Sequence, residues 1–286
     1  MKKILVTGAN GQLGKELRDL ALIHPEHEFL FLSREDLPIH HFELVRNVFA
    51  SFSPDYCINC AAYTAVDKAE QEAALAHLVN AESVGILAAV SAAHDCRFVH
   101  VSTDYVYGGD ASEPYNETSP TGPSSVYGQT KLEGEQAATK NDKLSVIIRT
   151  SWVYSTYGNN FVKTMMRLMK DRKEISVVND QKGSPTWAAD LASFIVHIID
   201  LPQWHPGIYN YSNDGEITWY DFALEIKRLL GSDCIVHPIP SSAYPTPAKR
   251  PAYSVMDKQK IKLVFGAHPE SWKQSLEKCI DQLLKS

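Results

Sequence analysis

Cysteine is scarce in this sequence, and positive charge is not in excess. The 286 residues include five cysteines, an odd and sparse set that is not typical of a disulfide framework. Lysine and arginine number 28 and aspartate and glutamate 34, which gives a net charge of −6. A mildly acidic chain lacks the electrostatic footprint of a nucleic-acid binder. We therefore expect a reducing, cytoplasmic location and no nucleic-acid partner.

Long apolar runs are also lacking. The chain passes from Lys2 and Lys3 directly into a strand pattern and a glycine loop, so no signal-peptide core fits there. The apolar stretch at residues 191–199 is shorter than the roughly 20 residues of a membrane span and contains His197. The sequence therefore predicts no membrane insertion.

The overall composition is that of an ordinary folded protein. Hydrophobic residues make up 44% and charged residues 22% of the chain, which excludes disorder, collagen-like repeats and coiled coil. Since domains average roughly 150 residues, the length suggests two domains or one large domain.

Short β-rich runs alternate with longer helical patterns in the first half of the chain. This alternation indicates βαβ units and a parallel sheet that is covered on both faces. The predicted strands are residues 3–7, 28–32, 55–60, 97–102 and 144–149. The predicted helices between them are residues 12–23, 42–52, 66–78, 82–93 and 127–139. The expected fold is α/β, a doubly wound parallel sheet of the Rossmann type.

The pattern becomes less regular after Ser151. We place a dinucleotide-binding domain at residues 1–151. A second, smaller α/β substrate domain is expected mainly at residues 152–286, with room for part of that chain to return to the first domain. Five prolines between residues 238 and 251 predict an extended surface segment, because proline disfavours helix interiors.

Three glycines follow the first predicted strand, in the string Gly8-Ala9-Asn10-Gly11-Gln12-Leu13-Gly14. In a strand-to-helix turn that binds pyrophosphate, Gly8 permits the tight turn, Gly11 lets the backbone approach the phosphates, and Gly14 permits close packing. The spacing G-x-x-G-x-x-G is a variant of the dinucleotide fingerprint. It predicts a dinucleotide cofactor, and a tight turn with a packing glycine is the alternative.

The second predicted strand ends in Leu32-Ser33-Arg34, where this fold selects between cofactors. An acidic residue there holds the ribose 2′-hydroxyl of NAD, whereas an arginine suits the 2′-phosphate of NADP. Ser33 does not repel a phosphate and Arg34 can pair with it, so we predict that NADPH is used at least as well as NADH. Glu35 and Asp36 keep NADH as the open alternative.

Tyr127 and Lys131 stand four residues apart near the start of a predicted helix and project from one face. A free phenol has a pKa of about 10, and positive charge beside it favours the phenolate. The pair predicts acid–base chemistry, although Tyr-x-x-x-Lys by itself is more often an exposed helix pair. Ser102 and Thr103 add context, because they end the fourth strand at the edge where ligands of open α/β sheets bind.

The order of glycine turn, strand-end hydroxyl and helical Tyr-x-x-x-Lys resembles the extended short-chain dehydrogenase/reductase family. Longer strings resemble its dTDP-4-dehydrorhamnose reductases over nearly the whole chain. They are Cys60-Ala61-Ala62-Tyr63-Thr64-Ala65-Val66-Asp67-Lys68-Ala69-Glu70, Ser102-Thr103-Asp104-Tyr105-Val106-Tyr107, Arg149-Thr150-Ser151-Trp152-Val153-Tyr154, Gly158-Asn159-Asn160-Phe161 and Ser242-Ala243-Tyr244-Pro245-Thr246-Pro247.

The resemblance implies reduction of the C4 ketone of dTDP-6-deoxy-L-lyxo-4-hexulose to dTDP-L-rhamnose, a sugar donor for cell-surface polysaccharide, with NADPH or NADH. It implies that Tyr127 donates the proton, Thr103 hydrogen-bonds the same oxygen, and Lys131 holds the nicotinamide ribose and lowers the pKa of the phenol. Residues implied to line the cofactor are Asn10, Gly11, Gln12, Leu13, Ala61, Ala62 and Thr64. Residues implied to line the nucleotide sugar are Val66, Thr103, Asp104, Tyr105 and Trp152.

Two departures from the relatives limit this transfer. The relatives carry a leucine-aspartate pair after the second strand, where this chain has Leu37-Pro38. Some relatives join subunits through a magnesium site of glutamates, which Glu16 matches and Asp190 does not clearly complete. We predict no required metal and a monomer or homodimer. Arg250 is a candidate for the nucleotide diphosphate, because guanidinium matches phosphate geometry, with a surface arginine as the alternative.

Two other functions stay open from sequence. Another nucleotide-sugar enzyme of the extended family, such as a 4-epimerase or an epimerase-reductase, shares Tyr-x-x-x-Lys. A non-catalytic, cofactor-binding regulatory subunit of methionine adenosyltransferase also resembles this subfamily. The intact Thr103, Tyr127 and Lys131 argue against the regulatory role.

Overall fold

A six-stranded parallel sheet forms the centre of the protein. The structure, a computed structural model, describes residues 1–285. Its strands are β1 (Lys2–Thr7), β2 (His27–Leu32), β3 (Tyr56–Asn59), β4 (Arg97–Thr103), β5 (Val146–Thr150), β6 (Val153–Tyr154), β7 (Glu174–Val178), β8 (Lys182–Gly183), β9 (Thr186–Trp187), β10 (Gly207–Asn210), β11 (Ile217–Thr218) and β12 (Ile235–Ile239). The large sheet has the order β10-β5-β4-β3-β1-β2, and the other strands form three two-stranded pairs.

Helices cover the sheet and build a second lobe. They are α1 (Gln12–Ala21), α2 (Phe42–Phe52), α3 (Val66–Ala69), α4 (Ala73–His77), α5 (Ser83–Ala93), α6 (Val126–Asn141), α7 (Phe161–Asp171), α8 (Ala188–Asp200), α9 (Trp219–Leu230), α10 (Gln259–Phe265) and α11 (Trp272–Lys285). A π-helical turn at Leu78–Glu82 joins α4 to α5, and 3-10 turns lie at Asp104–Val106 and Ser241–Ala243.

The first strand shows why both faces of the sheet are covered. Ile4, Leu5 and Val6 are fully buried, and successive side chains of a strand point to opposite faces. Ile4 and Val6 pack in a core with α1 and α8, whereas Leu5 packs in a core with α2 and α5. Burial of each such side chain contributes about 1.5–3 kcal/mol. The predicted doubly wound α/β fold is confirmed.

The strand order reverses between β1 and β3. The chain goes from β1 to β2 on one side and then crosses to β3 on the other side. Ligands of such sheets bind at this switch point, in the crevice beyond the carboxyl ends of the strands. The turn after β1 and the segments after β3 and β4 therefore lie at one ligand-binding edge.

A second apolar core lies beside the sheet. It is built by α7, α9 and α11 with the parallel pair β7–β12, and its buried side chains include Val162, Phe222 and Leu276. At the start of α9, Thr218 and Asp221 form a reciprocal capping box, which satisfies N–H groups that a helix end leaves unpaired. The second lobe, formed by α7, α9, α11, β7 and β12, thus has its own apolar core and its own helix cap.

Part of the second half of the chain belongs structurally to the sheet. The edge strand β10 pairs with β5, and α8 packs against α1. The proline-rich segment holds the end of β12 and a 3-10 turn at Ser241–Ala243, without an α-helix. The predicted boundary at residue 151 stays a prediction.

The helix predicted at residues 66–78 is wrong as a single element. It is divided into α3 and α4, and the Glu70 carboxylate between them accepts a hydrogen bond from the N–H of Val126, at the start of α6. The π-helical turn that follows places the buried Asn80 side chain between Tyr63 and Thr130. These contacts join parts of the chain that are distant in sequence, so the local periodicity of the segment could not predict them.

One helical stretch, Ala73–Ala93, is long and apolar enough to cross a membrane by length and composition. No such span was predicted from the sequence. Its side chains Val84, Leu87 and Ala88 are fully buried, and α5 packs against α2 and α6. A helix that is apolar around much of its surface is also typical of a protein core, which is the place of this stretch in the structure.

Candidate functional site

The glycine turn after β1 is shaped by its close approach to the segment after β3. Gly8 has a φ of +66°, and a Cβ there would lie 2.6 Å from the backbone nitrogen of Ala61. A Cβ on Gly14 would lie 2.6 Å from the carbonyl oxygen of Gly8. Backbone atoms cannot move aside as a flexible side chain can, so glycine is required at both positions. The turn has the tightness that a dinucleotide site needs.

The start of α1 faces this turn with free hydrogen-bond donors. The helix begins at Gln12, and Gly11 before it provides no side-chain cap. Asn10 is exposed at the tip of the turn, and Leu13 is buried beneath it. The first N–H groups of a helix and the positive end of its dipole bind anions. These residues fit a pyrophosphate group.

Ser33 and Arg34 lie directly after β2. The Ser33 hydroxyl donates to Glu35 Oε2 at 2.8 Å, and its N–H donates to Asp36 Oδ2 at 2.9 Å. These hydrogen bonds hold the pKa of both carboxyls below their usual range. The Arg34 side chain is exposed. The carboxylates of Glu35 and Asp36 thus bind Ser33, while the guanidinium of Arg34 is accessible to solvent.

Ala61, Ala62 and Thr64 follow β3 on the other side of the glycine turn. The Ala61 N–H donates to Asn59 Oδ1 at 3.2 Å. Ala62 is partly buried and Thr64 is exposed. Because Gly8 packs against Ala61, the cofactor residues predicted after β1 and those predicted after β3 form one continuous edge.

Thr103 ends β4 at the same edge of the sheet. Its hydroxyl donates to Asp104 Oδ1 at 3.0 Å and accepts the N–H of Tyr105 at 3.3 Å. Both Thr103 and Asp104 are buried. Burial raises the pKa of Asp104 to about 6, although the hydroxyls of Ser254 and Thr103 oppose the rise. Local contacts therefore fix the position of the Thr103 hydroxyl.

Tyr127 is brought to Thr103 by the start of α6. The hydroxyl of Ser125 caps this helix by accepting the N–H of Gly128 at 3.2 Å. A Cβ on Gly128 would overlap the carbonyl oxygen of Tyr105, so glycine allows the close approach. The Tyr127 ring packs edge-on against Tyr105, with 5.6 Å between centroids. Burial raises the pKa of Tyr127, and a hydrogen bond with Thr103 opposes the rise.

Lys131 lies one turn further along α6 and is 1% exposed. Its Nζ donates to the carbonyl oxygen of Val101 at 2.6 Å and lies 3.2 Å from His100 Nε2. Burial lowers the pKa of Lys131 to about 8, and the charge of Glu135 opposes this. The expectation that Lys131 lowers the pKa of Tyr127 is wrong for this structure. The ammonium is directed at β4, and burial dominates at the phenol.

The predicted substrate residues lie on both sides of the crevice. Val66 begins α3, which packs against α6, and Asp104 and Tyr105 directly follow Thr103. Trp152 belongs to the second lobe's cluster and stacks on Trp219, with 3.6 Å between ring centroids. Its φ of +48° is unfavourable for a residue other than glycine, and such strain is found at functional sites.

Arg250 joins the proline-rich segment to this edge. Its Nη1 donates to the Tyr105 hydroxyl at 3.0 Å, and its Nη2 donates to Asp67 Oδ2 at 2.9 Å. It also lines a cavity of about 450 Å³ with residues of the same segment. Asp67 lies in the string at residues 60–70, and its pairing with Arg250 was not predicted from the sequence. A guanidinium at a cavity rim suits a diphosphate.

A group of buried polar residues behind the site was not predicted from the sequence. Asn59, His100 and Arg149 lie within strands and are at most 2% exposed. Arg149 donates to Glu135 on α6 at 2.6 Å, and Asn59 Nδ2 lies 3.0 Å from His100 Nδ1. The sequence does carry one sign of this group, namely polar residues inside otherwise apolar strands. Because a buried polar group must be paired, such residues indicate a polar partner on a neighbouring element.

Within residues 1–285, one group of side chains has the composition of a metal site: His24, Glu26, His27 and Asp200. His24 pairs with Glu26 at 2.8 Å and His27 with Asp200 at 2.7 Å. The Lys2 ammonium lies 3.2 Å from the Asp200 carboxylate, where it opposes a cation. The group lies at the amino end of β2, opposite the edge that carries the catalytic candidates. The prediction that no metal is required stays a prediction.

The two acids weighed for magnesium are also engaged. Ser155 donates to Glu16 at 2.5 Å. Asp190 accepts hydrogen bonds from Ser275 at 2.5 Å and from Asn213 at 2.7 Å. Burial raises the pKa of both carboxyls. In this structure both side chains therefore hold α1 and α8 to neighbouring segments.

Comparisons with known proteins cover the whole described chain. The family model described as RmlD substrate binding domain matches residues 1–285. A dTDP-4-dehydrorhamnose reductase of Aggregatibacter actinomycetemcomitans is 41% identical over 97% of this chain and 98% of its own length.

Solved structures give the same result. A dTDP-4-dehydrorhamnose reductase from Clostridium acetobutylicum has a TM-score of 0.95 at 42% identity, over 99% of each chain. One from Bacillus anthracis, in complex with NADP, has a TM-score of 0.94 at 38% identity, over 98% of this chain and 99% of that chain. The predicted resemblance is confirmed: this chain belongs to the RmlD substrate binding domain family, that of the dTDP-4-dehydrorhamnose reductases.

Proposed function

We propose that this protein reduces the C4 ketone of dTDP-6-deoxy-L-lyxo-4-hexulose to the alcohol of dTDP-L-rhamnose. The observation that carries this proposal is the convergence of Thr103, Tyr127 and Lys131 at the sheet edge beside the glycine turn. Relatives that match this chain over nearly its full length are named for this activity. The reaction adds a hydride to the carbon and a proton to the oxygen of the ketone.

The residues around the glycine turn fit a nicotinamide dinucleotide. Free N–H groups of α1 suit its pyrophosphate, and the space beside Gly8 and Gly14 has no room for side chains. The residues that we propose to hold it are Gly8, Asn10, Gly11, Gln12, Leu13, Gly14, Ser33, Arg34, Ala61, Ala62, Thr64, Tyr127 and Lys131. When bound, the reduced cofactor supplies the hydride.

Tyr127 supplies the proton in this proposal. Its raised pKa keeps the phenol protonated at neutral pH, which is the form that a general acid needs. The Thr103 hydroxyl acts on the phenol and now donates its proton to Asp104 Oδ1; turned toward the substrate, that proton holds the same ketone oxygen. The Lys131 ammonium holds the ribose of the cofactor.

Arg34→Ser is expected to raise the KM for NADPH about tenfold and to change the KM for NADH much less. A charge-assisted hydrogen bond to the 2′-phosphate is worth about 1.5–3 kcal/mol, and Glu35 and Asp36 are occupied by Ser33. Steady-state kinetics with both cofactors measure the effect. Arg46→Ser, at another exposed arginine, is the control. Equal changes for both cofactors, or a wild-type preference for NADH, contradict the assignment.

Arg250→Met is expected to raise the KM for the nucleotide sugar at least about tenfold, because a bidentate guanidinium–phosphate contact is lost, while the KM for NADPH stays constant. The neighbouring Lys249 is exposed, and Lys249→Met is the matched control for loss of one positive charge. A KM for the sugar that changes no more in Arg250→Met than in Lys249→Met excludes Arg250 from the diphosphate site.

A single assay tests the proposed function. The purified protein is given the dTDP-keto-sugar and NADPH, and the absorbance of the reduced nicotinamide is followed. Stoichiometric loss of NADPH with formation of dTDP-L-rhamnose is expected. Interconversion of sugars without net consumption of NADPH supports an epimerase instead. Cofactor binding without turnover of any nucleotide sugar supports a regulatory subunit.

We propose that residues 1–151 hold the cofactor and that residues 152–286, with Trp152, form most of the nucleotide-sugar site. Val66, Asp104 and Tyr105 of the first part complete that site. We also propose a cytoplasmic monomer or homodimer without nucleic-acid or membrane partners. Five unpaired cysteines, four of them buried, suit a reducing compartment.

A further inference from the structure

A chain of buried hydrogen bonds leads from the end of β1 to Lys131. Asn59 Oδ1 accepts the Thr7 hydroxyl at 2.7 Å and the Ala61 N–H at 3.2 Å. Asn59 Nδ2 lies 3.0 Å from His100 Nδ1, and His100 Nε2 lies 3.2 Å from Lys131 Nζ. Thr7, Asn59 and His100 are fully buried, so each of their polar groups depends on its protein partner.

The backbone N–H of Ala61 fixes the direction of these bonds. It can only donate, so the Asn59 atom that faces it is the oxygen, and the amide nitrogen faces His100. Because that nitrogen donates, His100 Nδ1 accepts and carries no proton. Burial lowers the pKa of His100 well below its usual range, with a further contribution from Lys131. The neutral ring therefore carries its proton on Nε2.

The proton on His100 Nε2 points at a group that is itself a donor when charged. Lys131 Nζ already donates to the carbonyl oxygen of Val101 at 2.6 Å. An ammonium has no lone pair with which to accept the Nε2–H, whereas a neutral amine has one. On the side of Lys131 that faces β4, the Nε2–H of His100 therefore favours the neutral amine over the ammonium.

Other groups around Lys131 act in the opposite direction. The charge of Glu135 on α6 raises the pKa of the lysine. Cys60 after β3 could do so only as a thiolate, and burial raises its pKa to about 12. Glu135 is also bound by Arg149, which offsets part of its charge. Tyr127 lies one turn earlier on the same helix and is neutral at ordinary pH. His100 is thus the β4 group that opposes the ammonium.

We propose that His100, held by Asn59 with its proton on Nε2, is a positioning residue that opposes the ammonium form of Lys131 and sets the pH above which the lysine holds the cofactor ribose less tightly. The inference rests on the proposed function only through this role of Lys131. Since the pKa of Lys131 lies at about 8, affinity for NADPH is expected to fall as the pH rises through that value.

Asn59→Asp tests the proposal, because it reverses the direction of the hydrogen bond to His100 Nδ1 without removing a contact. A carboxylate still accepts the bonds from Thr7 and Ala61, and it also accepts a proton-bearing Nδ1 of His100, so that Nε2 becomes an acceptor for the Lys131 ammonium. We expect nitrogen NMR of the free protein to show the Nε2–H tautomer in the wild type and the Nδ1–H tautomer in the variant. The pH midpoint of NADPH dissociation, measured by fluorescence, should rise by about one unit.

Two further variants separate the tautomer from other effects. Thr7→Val removes one bond to the same Asn59 oxygen while Ala61 still fixes the amide, so neither the tautomer nor the midpoint should change. Asn59→Asp in a His100→Leu background retains only the added negative charge and should raise the midpoint by less than Asn59→Asp alone. An equal rise in both backgrounds assigns the effect to charge and overturns the proposal.

The wild-type tautomer decides the matter even if a variant does not fold. A proton on Nδ1 of His100 in the wild type overturns the proposal, as does a midpoint that Asn59→Asp leaves unmoved. These measurements need no turnover. If they give the expected results while the dTDP-keto-sugar is not reduced, the proposed function fails and the role of His100 toward Lys131 is supported.

Discussion

Replacing Tyr127 by phenylalanine is expected to lower kcat for the keto-sugar by about 10²–10⁴-fold, the usual contribution of a general acid. The Thr103 hydroxyl acts on the phenol, whose ring packs against Tyr105 at the sheet edge. Phenylalanine keeps the ring, and with it the packing against Tyr105, but it has no proton to donate. NADPH should still bind, because the glycine turn and Lys131 are intact, and the main loss should appear in kcat.

A second tyrosine provides the control for this substitution. Tyr157 donates its hydroxyl to Asp19 at 2.6 Å on the surface, so Tyr157→Phe also removes one phenolic hydrogen bond. It should leave kcat unchanged. Stopped-flow turnover and fluorescence titration with NADPH measure the two quantities. If Tyr127→Phe turns over like the wild type, Tyr127 is not the acid; if it no longer binds NADPH, its role is to hold the cofactor.

Glu135→Gln is expected to destabilise the protein by about 3–5 kcal/mol, because breaking a buried ion pair leaves an uncompensated charge. Glu135 accepts bonds from Arg149 Nη2 at 2.6 Å and Nε at 2.9 Å, and from the Ser102 hydroxyl at 2.5 Å. Both side chains of the pair are 3% exposed. Arg149 cannot lose its proton, so the variant buries a guanidinium without its counter-charge.

An exposed pair of the same chemistry is the control for this prediction. Arg46 Nη2 lies 2.7 Å from Glu43 Oε2, and the two side chains are 56% and 65% exposed. Glu43→Gln should cost less than about 1 kcal/mol, as surface pairs do. Urea unfolding followed by circular dichroism gives both free energies. A loss in Glu135→Gln no larger than that in Glu43→Gln is incompatible with a buried, uncompensated Arg149.

The strands and most helices of the sheet followed from local patterns. The run Ile4-Leu5-Val6 could be recognised as a buried parallel strand, because apolar side chains on both faces leave a continuous apolar string. The helix at residues 66–78 could not be read in this way. Its division depends on Glu70, which reaches the start of α6, and on the π-helical turn around Asn80. Neither contact leaves a trace in the periodicity of that segment.

The candidate site also has a part that local sequence signals predicted and a part that they did not. Gly8, Thr103, Tyr127 and Lys131 could be named because strand-to-helix turns, strand ends and helical spacing carry local signals. The direction of the Lys131 side chain could not be predicted. It depends on His100 and Val101 on a neighbouring strand, and the same burial that places the lysine there also raises the pKa of the phenol.

By itself, the sequence determined the α/β fold class, the dinucleotide turn and the family, because each depends on residue types at fixed spacing along the chain. Only the tertiary structure decided the electrostatic state of the site. The pairing of Arg250 with Asp67, of Arg149 with Glu135, and the neutral His100 beside Lys131 all join residues far apart in the chain. Charge, burial and hydrogen-bond direction act through space, and only folding sets those distances.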